Sequence, residues 1–188
     1  MEPSRCCPWW LAYAFDNPLR RLFHRPETML APYLKPGMTA LDLGCGMGFF
    51  SIAMAKMVGE NGKVISVDIQ EQMLAIMEKR AKKAGVMDRI RPVLSDEMGL
   101  RVRANVDFAI AVWMVHEVKG LENFLRQVHD CLKQGGNFFV IEPSGHVSLN
   151  HFQQEISEIE QAGFEKTASP RVSLSRAAVF AKKAKELP

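Results

Sequence analysis

The sequence predicts a single α/β domain built on a mostly parallel sheet with helices on both faces. Short apolar runs alternate with amphipathic stretches along most of the 188 residues, which is the pattern of βα units. Several runs are apolar almost throughout, as strands covered on both faces should be. A glycine-rich turn joins the first run to the first helix, and together these observations predict a doubly wound fold.

The first βα unit starts with the apolar run at residues 40–43, which contains Asp42. Glycines follow this run at alternate positions: Gly44, Gly46 and Gly48. Because glycine has no Cβ, such a turn allows a ligand to lie against the backbone. A helix is predicted to begin near Phe49.

The second apolar run, at residues 64–67, ends at Asp68. A carboxylate at this point can meet the hydroxyls of a ribose bound beside the glycine turn. The unit therefore predicts a site for a nucleotide-type cofactor. A tight βα turn in an unrelated α/β domain is the alternative interpretation.

Two known phosphate-binding patterns do not fit the glycine turn. The dinucleotide fingerprint requires G-x-G-x-x-G, but here the third glycine comes one residue early and Phe49 takes its place. The turn also lacks the Gly-Lys-Ser/Thr of a P-loop.

The remaining elements continue the βα alternation. The helices predicted from amphipathic spacing lie at residues 70–83, 122–133 and 148–162. The strands predicted from apolar runs lie at residues 90–94, 106–113 and 137–141, with two closing strands around 164–172 and 176–182. Gly135-Gly136 is expected to stop the second of these helices. The run at 106–113 is the most apolar and predicts the middle of the sheet.

Composition narrows the class of protein. With 47% hydrophobic and 24% charged residues, the chain has the usage of one globular domain. No apolar run reaches the length of a membrane span and no signal-type segment is visible, so we expect a cytoplasmic protein without a membrane partner. A net charge of +3 is too small and dispersed to favour nucleic acid.

The four cysteines fit a reducing compartment, since their positions show no disulfide framework and no Cys-x-x-Cys zinc pair. The neighbouring Cys6 and Cys7 are consistent with a soft-metal site, but a thiol pair near the chain end is the simpler interpretation.

The acid-x-Gly-x-Gly-x-Gly pattern of Asp42, Gly44, Gly46 and Gly48 resembles motif I of the class I S-adenosylmethionine-dependent methyltransferases. The resemblance covers residues 36–184 and implies seven strands in the order 3-2-1-4-5-7-6, with strand 7 antiparallel. Residues 1–35 would form an N-terminal aromatic extension of the same single domain. The turn at residues 132–136 and the acidic pair Asp96 and Glu97 match further landmarks of the family.

The resemblance implies S-adenosylmethionine as cofactor, with S-adenosylhomocysteine as product, and a role for each matching residue. The turn at Gly44, Cys45 and Gly46 would approach the methionine part, and Asp42 would engage its ammonium group. Asp68 would accept hydrogen bonds from both ribose hydroxyls. The residues that would surround the adenine or line the cofactor wall are Ile69, Asp96, Glu97 and Trp113.

The acceptor side is expected at Trp113–Glu117, after the fourth strand, because ligands of open α/β sheets lie at the carboxyl ends of strands. His116 is a candidate general base, with Glu117 or Glu142 as the orienting carboxylate. A packing or capping histidine is the alternative for His116. No Asn/Asp-Pro-Pro-Tyr/Phe or Pro-Cys motif follows this strand, which argues against adenine, glutamine and cytosine as acceptors. The loop offers no carboxylate set for magnesium, so we expect no metal.

The first 35 residues are rich in aromatic and basic side chains, including Trp9, Trp10 and Arg20. They predict a short helix or two that folds over the cofactor as a lid, or that packs on the sheet edge. The sequence therefore predicts a methyltransferase acting on a small molecule. An RNA methyltransferase and a non-catalytic cofactor-binding subunit or sensor are the alternatives.

Overall fold

The structure, a computed structural model, describes residues 20–183. Across these residues the chain forms one seven-stranded sheet with the order β3-β2-β1-β4-β5-β7-β6. The strands are β1 (Thr39–Leu43), β2 (Lys63–Asp68), β3 (Ile90–Leu94), β4 (Val106–Val112), β5 (Leu132–Pro143), β6 (Phe164–Ala168) and β7 (Ser175–Lys182). Strand β7 runs antiparallel to both of its neighbours, and the other pairs are parallel. The predicted order and the direction of the seventh strand are confirmed.

Helices cover both faces of this sheet. They are α1 (Arg20–Phe23), α2 (Pro26–Leu30), α3 (Phe49–Val58), α4 (Glu71–Lys83), α5 (Leu121–Cys131) and α6 (Leu149–Gln161), with short 3-10 turns at Met87–Arg89 and Val115–Glu117. The alternating side chains of β4 divide the core: Phe108 and Ile110 pack with α3 and α4, whereas Ala109 and Ala111 pack with α5 and α6. Both faces are buried, which explains why β4 is apolar almost throughout.

Four predicted boundaries were wrong. Helix α5 ends at Cys131 rather than at residue 133, and Gly135-Gly136 lies inside β5 instead of preceding it. The pairing of β4 with β5 jumps from Val106–Leu132 to Phe108–Asn137, so the intervening residues bulge out of the ladder. Gly135 has a φ of 71°, which suits glycine in such a bulge.

The other two differences lie at strand ends. Strand β4 ends at Val112, one residue before the predicted end, because Trp113 takes a φ of 58°. Strand β6 ends at Ala168 rather than near residue 172, since its pairing with β7 becomes irregular after Lys166. Within residues 20–183, no helix combines the length and apolar composition needed to cross a membrane.

Candidate active site

A cleft with a cavity volume of about 270 Å³ opens at the carboxyl ends of β1, β2 and β4. Most of the residues predicted from sequence lie on its wall: Asp42, Gly44, Cys45, Gly46, Asp68, Ile69, Asp96, Glu97, Trp113 and Glu117. Among the described residues that the sequence singled out for the site, Gly48, Val115, His116 and Glu142 do not belong to the wall. The glycine turn and the ends of the parallel strands thus meet at one site.

Two structural reasons explain why glycine occupies these positions of the turn. Gly44 and Gly46 have positive φ values of 64° and 52°, so the backbone can turn beside the cleft without strain. A Cβ on Gly48 would lie 2.4 Å from Cγ of Met77, which belongs to α4. Gly48 therefore permits the close packing of α3 on α4, and this accounts for its absence from the cleft wall.

Asp42 is buried at the floor of the cleft. The Ser51 hydroxyl donates to its Oδ2 at 2.5 Å, and the Ser66 hydroxyl donates in turn to Ser51 at 2.9 Å. Burial raises the pKa of Asp42 to about 7, although the hydrogen bond from Ser51 acts in the opposite direction. The charge of this carboxyl group therefore changes near neutral pH. Sequence reasoning missed Ser51, which lies one turn into α3 and carries no motif signal.

Asp68 connects the glycine turn to the end of β2 through hydrogen bonds. Its two carboxylate oxygens accept backbone N–H groups, one from Gly46 at 2.8 Å and one from Gln70 at 2.9 Å. Burial raises the pKa of Asp68, and these hydrogen bonds act against that rise. Because a carboxylate offers about four lone-pair sites, acceptor capacity remains for hydroxyl groups in the cleft.

Ile69 and the turn after β3 form one end of the cleft. Ile69 is 43% exposed, which is high for an isoleucine, and lies on the wall. Asp96 accepts the N–H groups of Met98 and Gly99, both at 2.9 Å, and pairs with Arg101. These bonds, with that from Met98 contributing most, lower the pKa of Asp96. Glu97 pairs with Lys119 at 3.2 Å and links this turn to the loop after β4.

The opposite end of the cleft is aromatic. Trp113 leaves β4 with its N–H donating to Ile141 at 2.7 Å and its indole N–H donating to the Ser175 hydroxyl at 3.0 Å. The Arg20 guanidinium lies 5.0 Å from the Trp113 ring and 4.7 Å from the Phe49 ring. This is the geometry of a cation–π contact. The N-terminal extension therefore reaches the cleft through α1.

His24, just after α1, anchors that extension. Its ring is buried, contacts Trp113 edge-on and places Nε2 3.2 Å from the Ser173 carbonyl. Burial and the Arg20 charge lower the pKa of His24 to about 4. The neutral ring can therefore donate from Nε2 to Ser173 and accept at Nδ1 from Arg20, 3.5 Å away.

His116 does not contribute to the cleft wall, and its side chain is largely buried. Its Nδ1 makes a short hydrogen bond with Oε2 of Glu142, a fully buried residue of β5. Its Nε2 lies 4.0 Å from Oε1 of Glu117, which does line the cleft. Burial lowers the pKa of His116, but the hydrogen bond and charge of Glu142 outweigh burial and raise the pKa above its usual range. Of the two orienting carboxylates considered for His116, Glu142 is the hydrogen-bonded partner.

Neither a metal group nor a reactive thiol is evident in the part of the chain that the structure describes. No three His, Cys, Asp or Glu side chains among residues 20–183 are arranged to hold a metal ion. Cys45 and Cys131 are buried free thiols, and burial raises the pKa of both. Cys6 and Cys7 lie outside the described residues.

Comparison with known proteins identifies relatives of this chain. A family model described as "Methyltransferase domain" matches residues 34–183. The chain is 32% identical over 123 residues to a demethylmenaquinone methyltransferase of Symbiobacterium thermophilum, a match that covers 65% of this chain and 49% of that protein. A Bacillus cytotoxicus protein of the same name is 31% identical over 64% of this chain and 51% of its own length. The chain thus spans about half the length of the curated relatives it matches.

Similarity to a solved structure extends further along the chain. A SAM dependent methyltransferase from Aquifex aeolicus matches with a TM-score of 0.84 and 26% identity, over 94% of this chain and 98% of that chain. The family model covers most of the chain. The chain therefore belongs to the class I S-adenosylmethionine-dependent methyltransferases, whose cofactor is S-adenosylmethionine.

Proposed function

We propose that this domain transfers the methyl group of S-adenosylmethionine to a small-molecule acceptor held beside Trp113 and Met114. The observation that carries the proposal is the division of one cleft into a polar part at Asp42 and Asp68 and an aromatic part at Phe49 and Trp113. The polar part of the cleft suits a cofactor that contains an amino acid and a ribose. The aromatic part suits an apolar acceptor.

The residues on the polar side fit the parts of the cofactor. Asp68 retains acceptor capacity for the ribose hydroxyls, and Asp42 offers a carboxylate for the ammonium group. Gly44 and Gly46, with Cys45 between them, allow the backbone to approach the methionine part. The exposed Ile69 would pack on one adenine face, while Asp96 and the N–H of Glu97 would meet the adenine edge. Gly48, at the end of the turn, allows Met77 of α4 to pack closely against the backbone.

The bound cofactor supplies a methyl group that is already activated by the sulfonium charge. The protein's contribution is to orient the acceptor and exclude water. We assign proton removal to Glu117, because this carboxylate lines the cleft whereas His116 does not contribute to the cleft wall. A hydroxyl acceptor would form an oxygen–carbon bond to the methyl group as the carbon–sulfur bond breaks, and its hydroxyl proton would pass to Glu117. His116, whose Nε2 lies 4.0 Å from Oε1 of Glu117, orients that carboxylate.

The acceptor class that we propose is a planar, mostly apolar ring with an ionisable hydroxyl, as in a reduced quinone. Phe49, Phe50 and Trp113 provide flat apolar surface at the acceptor side. The curated relatives are named demethylmenaquinone methyltransferases, which is consistent with such an acceptor. We also propose that the N-terminal extension closes this side as a lid, because α1 already contacts Trp113 through Arg20.

Two measurements test the proposal separately. Calorimetry should detect binding of S-adenosylhomocysteine by the purified chain. Incubation with methyl-labelled S-adenosylmethionine and demethylmenaquinone, in its reduced and oxidised forms, should label the reduced form preferentially. Cofactor binding with no labelling of any quinol, phenol or thiol acceptor would refute the catalytic part, and labelling of total RNA instead would replace the small molecule as acceptor.

A further inference from the structure

A buried polar cluster lies behind the acceptor side of the cleft, where β5, α6 and the Val115–Glu117 turn meet. Its members are Glu142 of β5, His116 of the turn and Glu155 of α6. Glu142 is fully buried and Glu155 is 2% exposed. None of these three described residues contributes to the cleft wall, so the cofactor site itself does not explain them.

Glu142 binds two successive residues of the turn. Its Oε1 accepts the N–H of Val115 at 2.8 Å, and its Oε2 makes the short bond to Nδ1 of His116. One residue earlier on β5, the Ile141 carbonyl accepts the N–H of Trp113. The segment after β4 is therefore fastened to β5 at three neighbouring points.

The segment Trp113–Glu117, which is hydrogen-bonded to β5, also contributes side chains to the cleft wall. Met114 and Glu117 line the cleft, whereas Val115 and His116 between them do not belong to its wall and carry the bonds to Glu142. The His116 ring uses Nδ1 for Glu142 and presents Nε2 to the Glu117 carboxylate. The imidazole of His116 thus lies between the buried carboxylate of Glu142 and the carboxylate of Glu117, which lines the cleft.

The burial of Glu142 needs an explanation, because removing a carboxylate charge from water is costly unless the charge is paired. The residues before Glu142 on β5 are Val140 and Ile141, both fully buried, so an apolar side chain would suit the local packing. An apolar residue would leave the Val115 N–H without its acceptor and the His116 ring without its partner. The geometry favours a directional role over simple packing.

We propose that Glu142 is a positioning residue for methyl transfer, which acts through Val115 and His116 to hold Glu117 against the acceptor. The inference rests on the proposed function, since it requires an acceptor in front of Glu117. Glu142 itself touches neither the cofactor nor the acceptor space.

Glu155 completes the cluster. Both of its carboxylate oxygens are buried and accept no hydrogen bond from the residues that the structure describes. Nε2 of His151 lies 3.2 Å from Oε1, close enough for an ion pair but not aligned as a hydrogen bond. Glu155 interacts electrostatically with Glu142 and His116, and its pKa is raised mainly by burial.

The test compares Glu142→Gln with a matched control, Asp107→Asn. Asp107 lies at the other end of β4, and its carboxylate also accepts one backbone N–H, from Thr39 at 2.8 Å, and pairs with a cation, Lys133. We expect Glu142→Gln to lower kcat at least about tenfold, because misplaced catalytic groups lose orientation. Its affinity for S-adenosylhomocysteine should stay within about threefold of the wild-type affinity, as when only acceptor-side geometry changes. Asp107→Asn should retain kcat.

A double-mutant cycle identifies the route of the effect. If Glu142 acts through Glu117, Glu142→Gln should lower kcat little further in a Glu117→Gln background. Independent, multiplicative losses, or equal kcat values for Glu142→Gln and Asp107→Asn, would overturn the inference. Hydrogen exchange needs no acceptor: in Glu142→Ala, exchange at Val115–Glu117 should rise while exchange at residues 44–48 stays unchanged. Unchanged exchange at Val115–Glu117 would also overturn it, whereas a wild-type chain that methylates nothing would refute the proposed function instead.

Discussion

Asp42 illustrates how burial sets the chemistry of a single residue. The carboxyl group lies at the end of a core strand, so burial raises its pKa to about 7 while Ser51 supplies a compensating hydrogen bond. An ammonium group that binds beside it favours the ionised form. Binding of the cofactor and ionisation of Asp42 are therefore expected to be linked.

The first prediction concerns this linkage. The Kd for S-adenosylhomocysteine, measured by calorimetry between pH 5.5 and pH 8, should rise as the pH falls through about 7, approaching about tenfold per pH unit. Asp42→Asn should bind more weakly at pH 8 and should lose this dependence. Ser51→Ala removes the hydrogen bond that lowers the pKa of Asp42, so its transition should move to higher pH. The same pH dependence in Asp42→Asn and wild type would contradict the assignment.

Asp68 is predicted to contribute through the ribose hydroxyls. Asp68→Ala should weaken S-adenosylhomocysteine binding by about 1–3 kcal/mol, because a charge-assisted hydrogen-bonding pair is lost. Asp68→Asn, which keeps one oxygen acceptor, should lose less. An analogue without the two ribose hydroxyls serves as the control in the same calorimetric titration. If Asp68→Ala weakens that analogue as much as the parent compound, the carboxylate acts only by holding the Gly46 and Gln70 N–H groups.

Glycine spacing and strand-end carboxylates leave a readable pattern in the sequence, and the structure brings those residues together at one cleft. The sequence was less informative about the acceptor side. The sequence named Glu142 and Glu117 as the two carboxylates that could orient His116 but did not decide between them, and Glu155 lies within a segment that reads as an ordinary amphipathic helix. The proximity of Glu142 and Glu155 to His116 arises only when β4, β5 and α6 pack, which a single sequence does not specify.

At the scale of elements, the long periodic helices and apolar strands were predicted well, and the errors fell at junctions. The Gly135-Gly136 pair has the composition of a helix stop, yet β5 begins three residues before it. The pairing of Leu132 with Val106 determined that start. Tertiary hydrogen bonding thus overrode the local signal, as is usual at the ends of elements.

The N-terminal extension is the element whose function can be tested by truncation. Deleting residues 1–19 leaves α1, whose Arg20 and His24 contact Trp113. The lid hypothesis predicts that this deletion changes S-adenosylhomocysteine affinity only modestly but abolishes turnover, because water then reaches the acceptor side. Calorimetry and the labelled-methyl assay measure the two quantities. A truncated chain with full turnover would exclude the lid.

A deletion of residues 1–25 provides the comparison, since it also removes His24 from its buried position. We expect this longer deletion to lower the melting temperature, whereas the shorter one should leave it near the wild-type value. The two truncations therefore separate a loss of closure from a loss of packing.

At the scale of the whole molecule, the two faces of the sheet bury different kinds of side chain. The face covered by α3 and α4 supports the glycine turn through Gly48 and Met77. The face covered by α5 and α6 contains the polar cluster of Glu142, His116 and Glu155. On this second face, the protonation of Glu155 and His116 is expected to be linked to the stability of the fold.

The final prediction concerns that coupling. Burial raises the pKa of Glu155 to about 8 from an ordinary value of 4.5, with Glu142 as a further cause. Between these values the folded chain retains a proton that the unfolded chain releases, so the free energy of unfolding falls as the pH rises. His116, whose pKa is also raised, acts in the same direction. Glu155→Gln stays neutral at every pH and should remove the part of the decline that belongs to Glu155.

We therefore expect Glu155→Gln to become more stable relative to wild type as the pH rises from 5 to 8.5, by about 1–3 kcal/mol over the range. Urea unfolding at a series of pH values measures this difference. Glu160→Gln is the matched control, because this side chain is exposed on the same helix, and it should follow the wild-type curve. Parallel curves for Glu155→Gln and wild type would show that Glu155 is already ionised in the folded chain, with His151 as its counterion at 3.2 Å.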